Sequence, residues 1–169
     1  MIPRAIFFMI CGIPLLFSQA WVTEISNNHR NSVVGVISLD NDQKAIGSGS
    51  GCIISKNGII ATNQHVIKEA SYIWVYFPSD SLPFQARLLY EDIELDYALL
   101  KIDVNNLVEL KLGTSKDMQI GNEILAIGTP GGFTYISTWF ANSVTKGMVS
   151  NIKQEANGSG NFCSPDFFR

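Results

Sequence analysis

Short apolar runs separated by turn residues make up most of the chain beyond residue 31. Many of these runs are rich in β-branched residues and none is long enough for a convincing helix, which is the pattern of strands. Six strands are predicted, at 32–39, 51–55, 58–62, 72–77, 84–90 and 97–102. Asn57-Gly58 lies between the second and third, and this dipeptide is a strong hairpin signal. Because an open sheet of short strands would expose its edges, we predict a closed barrel.

A second series of strands begins after Gly113. The segment 122–128 is predicted to be a buried strand, because its apolar positions run on rather than alternate. A further strand is predicted at 143–152, with a bend at Gly147, and the cluster Thr129-Pro130-Gly131-Gly132 predicts a turn. The pattern stops after 157. We therefore expect two units, a complete first barrel at 32–112 and an incomplete second barrel at 113–169.

The N-terminal residues have the pattern of an export signal. Arg4 precedes an uncharged, mostly apolar stretch at 5–17, and Ser18-Gln19-Ala20 then places small residues at a cleavage position. We predict a signal peptide at 1–20 cleaved after Ala20, a polar lead-in arm at 21–31, and a secreted or periplasmic protein. The alternative is an uncleaved membrane anchor, but the apolar stretch is shorter than the roughly 20 residues that span a bilayer. No stable membrane anchor is expected.

Composition excludes several classes of protein. Apolar residues make up 46% of the 169 residues and charged residues 16%, which is typical of a globular domain with a real core. The net charge is −3 and basic residues are scattered, so no nucleic-acid partner is expected. Cys52, Cys163, His29 and His65 lack the spacing of zinc ligands. We expect no metal and no cofactor.

Two residues are candidates for chemistry. His65 lies on a turn directly after a predicted strand, where an imidazole can exchange protons near neutral pH. Asp96 precedes an apolar strand, and a carboxylate at the rim of a core needs a donor such as an imidazole nitrogen. Taken singly, each is more often a structural residue. The glycine-serine run at 47–51 could be a linker; it lacks the Gly-Lys-Ser/Thr ending of a phosphate-binding loop and leads into a strand.

Taken together, four segments identify a family. The segments GSGSGCIISKNGIIATNQHVI, DYALLKID, IGNEILAIGTPGG and NSVTKGMVSNI resemble, in order, the conserved segments of trypsin-like serine proteases of the HtrA/Deg type. The resemblance implies an all-β, chymotrypsin-like double barrel with its active site between the barrels. It also implies that His65 is the general base, that Asp96 is its orienting acid, and that proteins or peptides are the substrates.

The resemblance also bears on the residues around the histidine. It explains Gly47, Gly49 and Gly51 as sites of close chain approach, which favours residues without a Cβ. Digestive relatives carry a cysteine directly after the catalytic histidine, where this chain has Val66. Cys52 is therefore expected to be a small buried residue rather than half of a disulfide.

The nucleophile of this family is missing from the pattern. No GNSGGP-like loop occurs, Ser159 follows Gly147 too closely, and Ser164 precedes a proline, so neither serine is expected to be the nucleophile. The leading hypothesis is a serine endopeptidase by descent, truncated before its nucleophile and inactive as given. The first alternative is a non-catalytic secreted barrel that binds proteins or acts as a decoy. The second is a barrel unrelated to proteolysis, which the joint presence of His65 and Asp96 disfavours.

Overall fold

The protein folds mostly into strands, as predicted. The computed structural model describes residues 14–79, 82–129 and 143–152. Its elements are, in chain order, α1 Pro14–His29, a 3-10 turn Arg30–Ser32, β1 Val33–Leu39, β2 Ala45–Ser55, β3 Ile59–Thr62, α2 Gln64–Ile67, β4 Tyr72–Tyr76, β5 Phe84–Asp92, β6 Tyr97–Lys101, a 3-10 turn Ser115–Asp117, β7 Glu123–Gly128 and β8 Ser143–Met148.

The first six strands form a closed antiparallel barrel in the order β1-β2-β3-β6-β5-β4, with β4 pairing back to β1. Each predicted strand is present, and Gly58 takes the positive φ of +86° expected in the Asn-Gly hairpin turn. Strand β2 begins at Ala45, earlier than predicted. The glycine-serine run belongs to it because Gly49 pairs with Val36 of β1. The low strand propensity of glycine concealed this from the sequence pattern.

The barrel encloses one apolar core. Buried residues alternate with less buried ones along β3, β4 and β6, and Ala98 and Leu100 of β6 are completely buried. Val66 and Ile67 of α2 belong to the same core cluster. The short α2 turn is therefore anchored by its own apolar residues, and this anchoring fixes the position of its neighbour His65.

Strands β7 and β8 form a small second sheet, in which Ile124 pairs with Gly147, and β7 lies beside β1 of the barrel. The prediction that β7 is buried is wrong, because all but one of its residues are half-buried and Glu123 is exposed. Its only described sheet neighbour is β8, so its side chains keep part of their surface in solvent. The strand predicted at 143–152 ends at Met148.

Helix α1 was not predicted, since a polar arm was expected at 21–31. The apolar residues of PLLFSQAWVTEISNNH do not gather into one stripe, so the sequence carries no helical period. Trp21 of α1 lies over β8, where the Lys146 ammonium is 5.2 Å from its ring centroid. No helix in the part of the chain described here is both long and apolar enough to cross a membrane.

Candidate active site

Strand pairing brings the two candidate catalytic residues to the same end of the barrel. Strands β3 and β6 are antiparallel neighbours, with Thr62 paired to Ala98. The end of β3 therefore lies beside the start of β6. His65 follows β3 on α2, and Asp96 immediately precedes β6, so the register places both at one corner.

His65 and Asp96 make a two-point contact. The ring Nδ1 of His65 is 2.6 Å from Asp96 Oδ2, and the backbone N–H of His65 donates to Asp96 Oδ1 at 2.8 Å. The ring-to-carboxylate distance lies within the roughly 2.6–3.2 Å expected of a catalytic hydrogen bond. The His65 side chain is 67% exposed and that of Asp96 30% exposed. One edge of the imidazole is thus held, while the rest faces solvent.

A third residue, Asn63, completes the arrangement. Its Nδ2 donates to Asp96 Oδ2 and to the backbone oxygen of Asp96, each at 3.2 Å. Asn63 lies within the TNQHV segment, but its position in the sequence predicts no role of its own. The carboxylate of Asp96 therefore accepts hydrogen bonds from three donor groups.

These contacts keep Asp96 ionised. Burial by itself would raise the pKa of Asp96, but the hydrogen bonds from the His65 backbone and ring, the charge of His65 and the Asn63 amide together hold that pKa below its usual value. An ionised Asp96 accepts at both oxygens, so the neutral imidazole carries its proton on Nδ1. The lone pair of His65 then lies on Nε2, the nitrogen that can take a proton.

The glycines of β2 make room for the histidine turn. A Cβ on Gly47 would lie 2.5 Å from the backbone oxygen of Val66, and one on Gly49 would lie 2.5 Å from Val66 Cγ2. The Ser38 hydroxyl donates to the same Val66 oxygen. The α2 turn thus packs directly on bare backbone, which is the close approach predicted for these glycines. Cys52 faces the other side of β2 and is half-buried rather than fully buried.

A second tie joins α2 to the barrel wall. Gln64 Nε2 donates to Glu91 Oε2 of β5 at 2.9 Å. This pair borders a cavity of about 420 Å³ that Arg87 also lines. Neither His65 nor Asp96 lines this cavity, so it is separate from the candidate active site.

Ser50 connects the two parts of the structure. Its hydroxyl, on β2, accepts from the backbone N–H of Thr129 at 2.8 Å, just after β7 ends. A Cβ on Gly128 would lie 3.1 Å from the same oxygen, so glycine allows this contact. Thr129 begins the predicted Thr-Pro-Gly-Gly turn, whose other residues lie outside the described part of the chain.

Ser159 and Ser164, neither of which is expected to be the nucleophile, lie outside the described residues, as does Cys163. Among the residues described, no group of three or more histidine, cysteine, aspartate or glutamate side chains could hold a metal ion.

Known proteins resemble this chain in both sequence and structure. The family model of the trypsin-like peptidase domain matches residues 49–166. A protein named as a probable periplasmic serine endoprotease DegP-like, from Pseudomonas putida, is 44% identical over 139 residues, covering 82% of this chain and 26% of its own. One of the same name from Hahella chejuensis is 40% identical over 108 residues, covering 64% of this chain and 21% of its own.

A solved structure gives the same result. The crystal structure of the serine endoprotease from Yersinia pestis superimposes with a TM-score of 0.65 at 31% identity, covering 76% of this chain and 44% of that protein. The chain spans about a quarter of the length of the curated relatives it matches, 26% in the case of the Pseudomonas putida protein. It belongs to the trypsin-like serine endopeptidases of the HtrA/Deg type.

Proposed function

We propose that His65 and Asp96 are the base and the orienting acid of a serine endopeptidase site that cleaves proteins or peptides through an acyl-enzyme. The observation that carries this proposal is the two-point contact between them, 2.6 Å from the ring and 2.8 Å from the backbone. The exposure of the His65 side chain, at 67%, supports it because the opposite ring nitrogen is then accessible.

The roles follow from the direction of the hydrogen bonds. Asp96 holds the Nδ1–H of His65, so Nε2 can accept a proton from a serine hydroxyl as that oxygen attacks the scissile carbonyl. The imidazolium that forms is stabilised by the ionised Asp96. Nε2 then gives the proton to the leaving amine, and water repeats the sequence to release the acyl group.

A polypeptide of these 169 residues is not expected to form an acyl-enzyme. It contains no GNSGGP-like loop, and this is the loop that supplies both nucleophile and oxyanion donors in the family the sequence resembles. His65 raises the reactivity of a hydroxyl only when one is held against it, and Asp96 only orients His65. The loss of one oxyanion donor alone typically costs about 2.7–4 kcal/mol in the transition state.

Labelling with a fluorophosphonate probe, read by mass spectrometry, tests the proposed roles of His65 and Asp96 and the expectation that these 169 residues alone do not acylate. The chain alone and the same chain extended by a family-like second barrel with a GNSGGP loop are compared. We expect stoichiometric labelling of the extended chain only. Labelling should be lost on His65→Ala and kept on His29→Ala, which removes the other histidine, exposed at the end of α1.

Two outcomes would contradict this proposal. Labelling of Ser159 or Ser164 in the short chain would show that a nucleophile is already present. An extended, folded chain that binds peptides without labelling would favour the alternative of a non-catalytic binding barrel.

We further propose that the protein is exported and that its mature form begins at Trp21. The charged and then apolar start, ending in Ser18-Gln19-Ala20, supports processing after Ala20. The relatives named as periplasmic endoproteases support the periplasm as the destination. N-terminal sequencing of exported protein tests this, and material that still begins at Met1 would contradict it.

A further inference from the structure

We infer that Asn63 is a positioning residue that fixes Asp96 against His65, and this inference rests on the roles proposed above for those two residues. Three features of the contact between Asn63 and Asp96 carry it: the direction of the hydrogen bonds, the way the α2 turn is capped, and the backbone conformation of Asp96.

The chemistry of the partners determines the direction of the hydrogen bonds. The Asn63 amide faces the Oδ2 and the backbone oxygen of Asp96, each at 3.2 Å. Both are acceptors, since the Asp96 carboxylate is ionised. Only the NH₂ end of the amide can satisfy them, because the carbonyl end would place oxygen against oxygen. Asn63 therefore donates to both of these oxygens of Asp96 through its Nδ2.

The side chain is used for this contact in preference to its ordinary local role. Asn63 occupies the N-cap position of α2, where an asparagine side chain commonly accepts from the backbone N–H groups of the first turn. Its side chain makes no such bond here. Asp96 Oδ1 accepts from the His65 N–H instead. Asp96 thus supplies the acceptor that an N-cap side chain usually supplies, and the Asn63 amide donates to Asp96. Together these bonds tie the histidine turn to the start of β6.

The Asn63 amide also holds Asp96 in an uncommon backbone conformation. Asp96 has a φ of +48°, in the left-handed region that residues with a Cβ seldom adopt. Such a conformation persists where surrounding contacts over-determine it. Asn63 bonds both the backbone oxygen and the carboxylate of Asp96, so it constrains the direction in which the carboxylate leaves the chain.

Site-resolved NMR on the 169-residue chain tests the inference without requiring catalysis. Carbon-13 signals of the Asp96 carboxyl report its titration separately from that of neighbouring Asp92 and Glu91. In Asn63→Ala we expect the Asp96 midpoint to shift upward from that of the unmodified chain, because the Asn63 amide no longer donates to the ionised carboxylate at Oδ2. We also expect the His65 Nδ1–H signal to exchange faster with water.

Two further variants separate positioning from capping. Asn63→Ser keeps a good N-cap residue but has no amide to reach Asp96, so it should shift the Asp96 midpoint as Asn63→Ala does. Asn105→Ala, an exposed asparagine, should leave it unchanged. An unchanged Asp96 midpoint in either folded Asn63 variant would overturn the inference. This includes the case in which Asn63→Ala shifts the midpoint and Asn63→Ser does not, which would assign the effect to capping.

A measurement on the unmodified chain covers the case in which the variants do not fold. The Asn63 side-chain NH₂ signals should move with pH at the same midpoint as the Asp96 carboxyl, and signals that ignore that titration would overturn the inference. In the extended chain, Asn63→Ala should lower kcat and leave KM unchanged. If the extended chain never acylates, the proposed function fails while the NMR outcome for Asn63 still stands.

Discussion

His65 and Asp96 are joined at two points, through the backbone N–H of His65 to Oδ1 at 2.8 Å and through its ring Nδ1 to Oδ2 at 2.6 Å. The core residues Val66 and Ile67 already anchor the α2 turn, and the backbone contact to Asp96 adds a polar tie at His65 itself. The second contact fixes the turn that carries the ring, so Asp96 positions the histidine backbone as well as its imidazole. Hydrogen bonds to an ionised group are also stronger than neutral ones.

Asp96 should make the stability of the protein depend on pH below about 4, the range of an ordinary aspartate. Its pKa is lowered in the folded protein, so the unfolded state takes up the proton first as pH falls. Its contribution is therefore complete above the unfolded pKa and is lost as pH falls through the folded one. Urea unfolding of Asp96→Asn and the parent chain should differ near neutral pH and converge in acid. Asparagine also tolerates the left-handed φ at this site.

Asp42→Asn is the control for this prediction, since Asp42 is exposed on the β1–β2 turn. Its unfolding curve should follow that of the parent chain over the same pH range. A difference between Asp96→Asn and the parent that stayed constant down to acid pH would show that Asp96 acts through packing rather than through its charge.

Gly49→Ala should destabilise the protein and displace His65. The new Cβ would lie 2.5 Å from Val66 Cγ2, inside contact distance. Overpacking of this kind typically costs about 1–3 kcal/mol. Chemical denaturation measures the loss, and His65 ring shifts in NMR report the displacement.

Two variants check the cause of that loss. Gly49→Ala combined with Val66→Ala removes the clashing methyl group and should cost less than the sum of the single changes. Gly113→Ala should have little effect, because a Cβ there would meet nothing within 4 Å. Simple additivity of the Gly49 and Val66 effects would argue against the packing explanation.

Ser50→Ala should loosen the second sheet from the barrel. It removes the acceptor of the Thr129 N–H, a contact of 2.8 Å. A typical hydrogen bond contributes about 0.5–1.5 kcal/mol, so we expect a loss in that range and faster exchange of the Thr129 amide. Ser79→Ala, at an exposed turn, is the control. Undiminished protection of Thr129 in Ser50→Ala would show that this bond does not hold the sheet.

The second sheet should exchange amide hydrogens faster than the barrel. Strands β1–β6 form a closed ring, whereas most residues of β8 are exposed and β7 is half-buried. Regions with few buried apolar contacts open at lower free energy. Hydrogen exchange should therefore give higher protection across 33–101 than across 123–128 and 143–148. Equal protection would mean that the two sheets open as one unit.

The sequence by itself determined the strands of the barrel and singled out His65 and Asp96 as the candidates for chemistry. The positions of the strands along the chain follow from short apolar runs and turn residues, which are local signals. His65 and Asp96 lie in segments long enough to identify a family. The same local signals did not predict α1, which has no apolar stripe. They also did not predict the start of β2, because its glycines have low strand propensity.

Only the tertiary structure decided which groups meet. The pairing of Thr62 with Ala98 brings two segments that are distant in sequence to one corner of the barrel. The pattern of residues along the chain does not give the spatial distance between such segments. The role of Asn63 has the same origin. An N-cap asparagine is expected to accept from the first backbone N–H groups of its own helical turn. Here the barrel register places the Asp96 carboxylate beside that turn, and Asp96 accepts from the His65 N–H instead. Contacts between segments depend on register and packing, which local propensity does not specify.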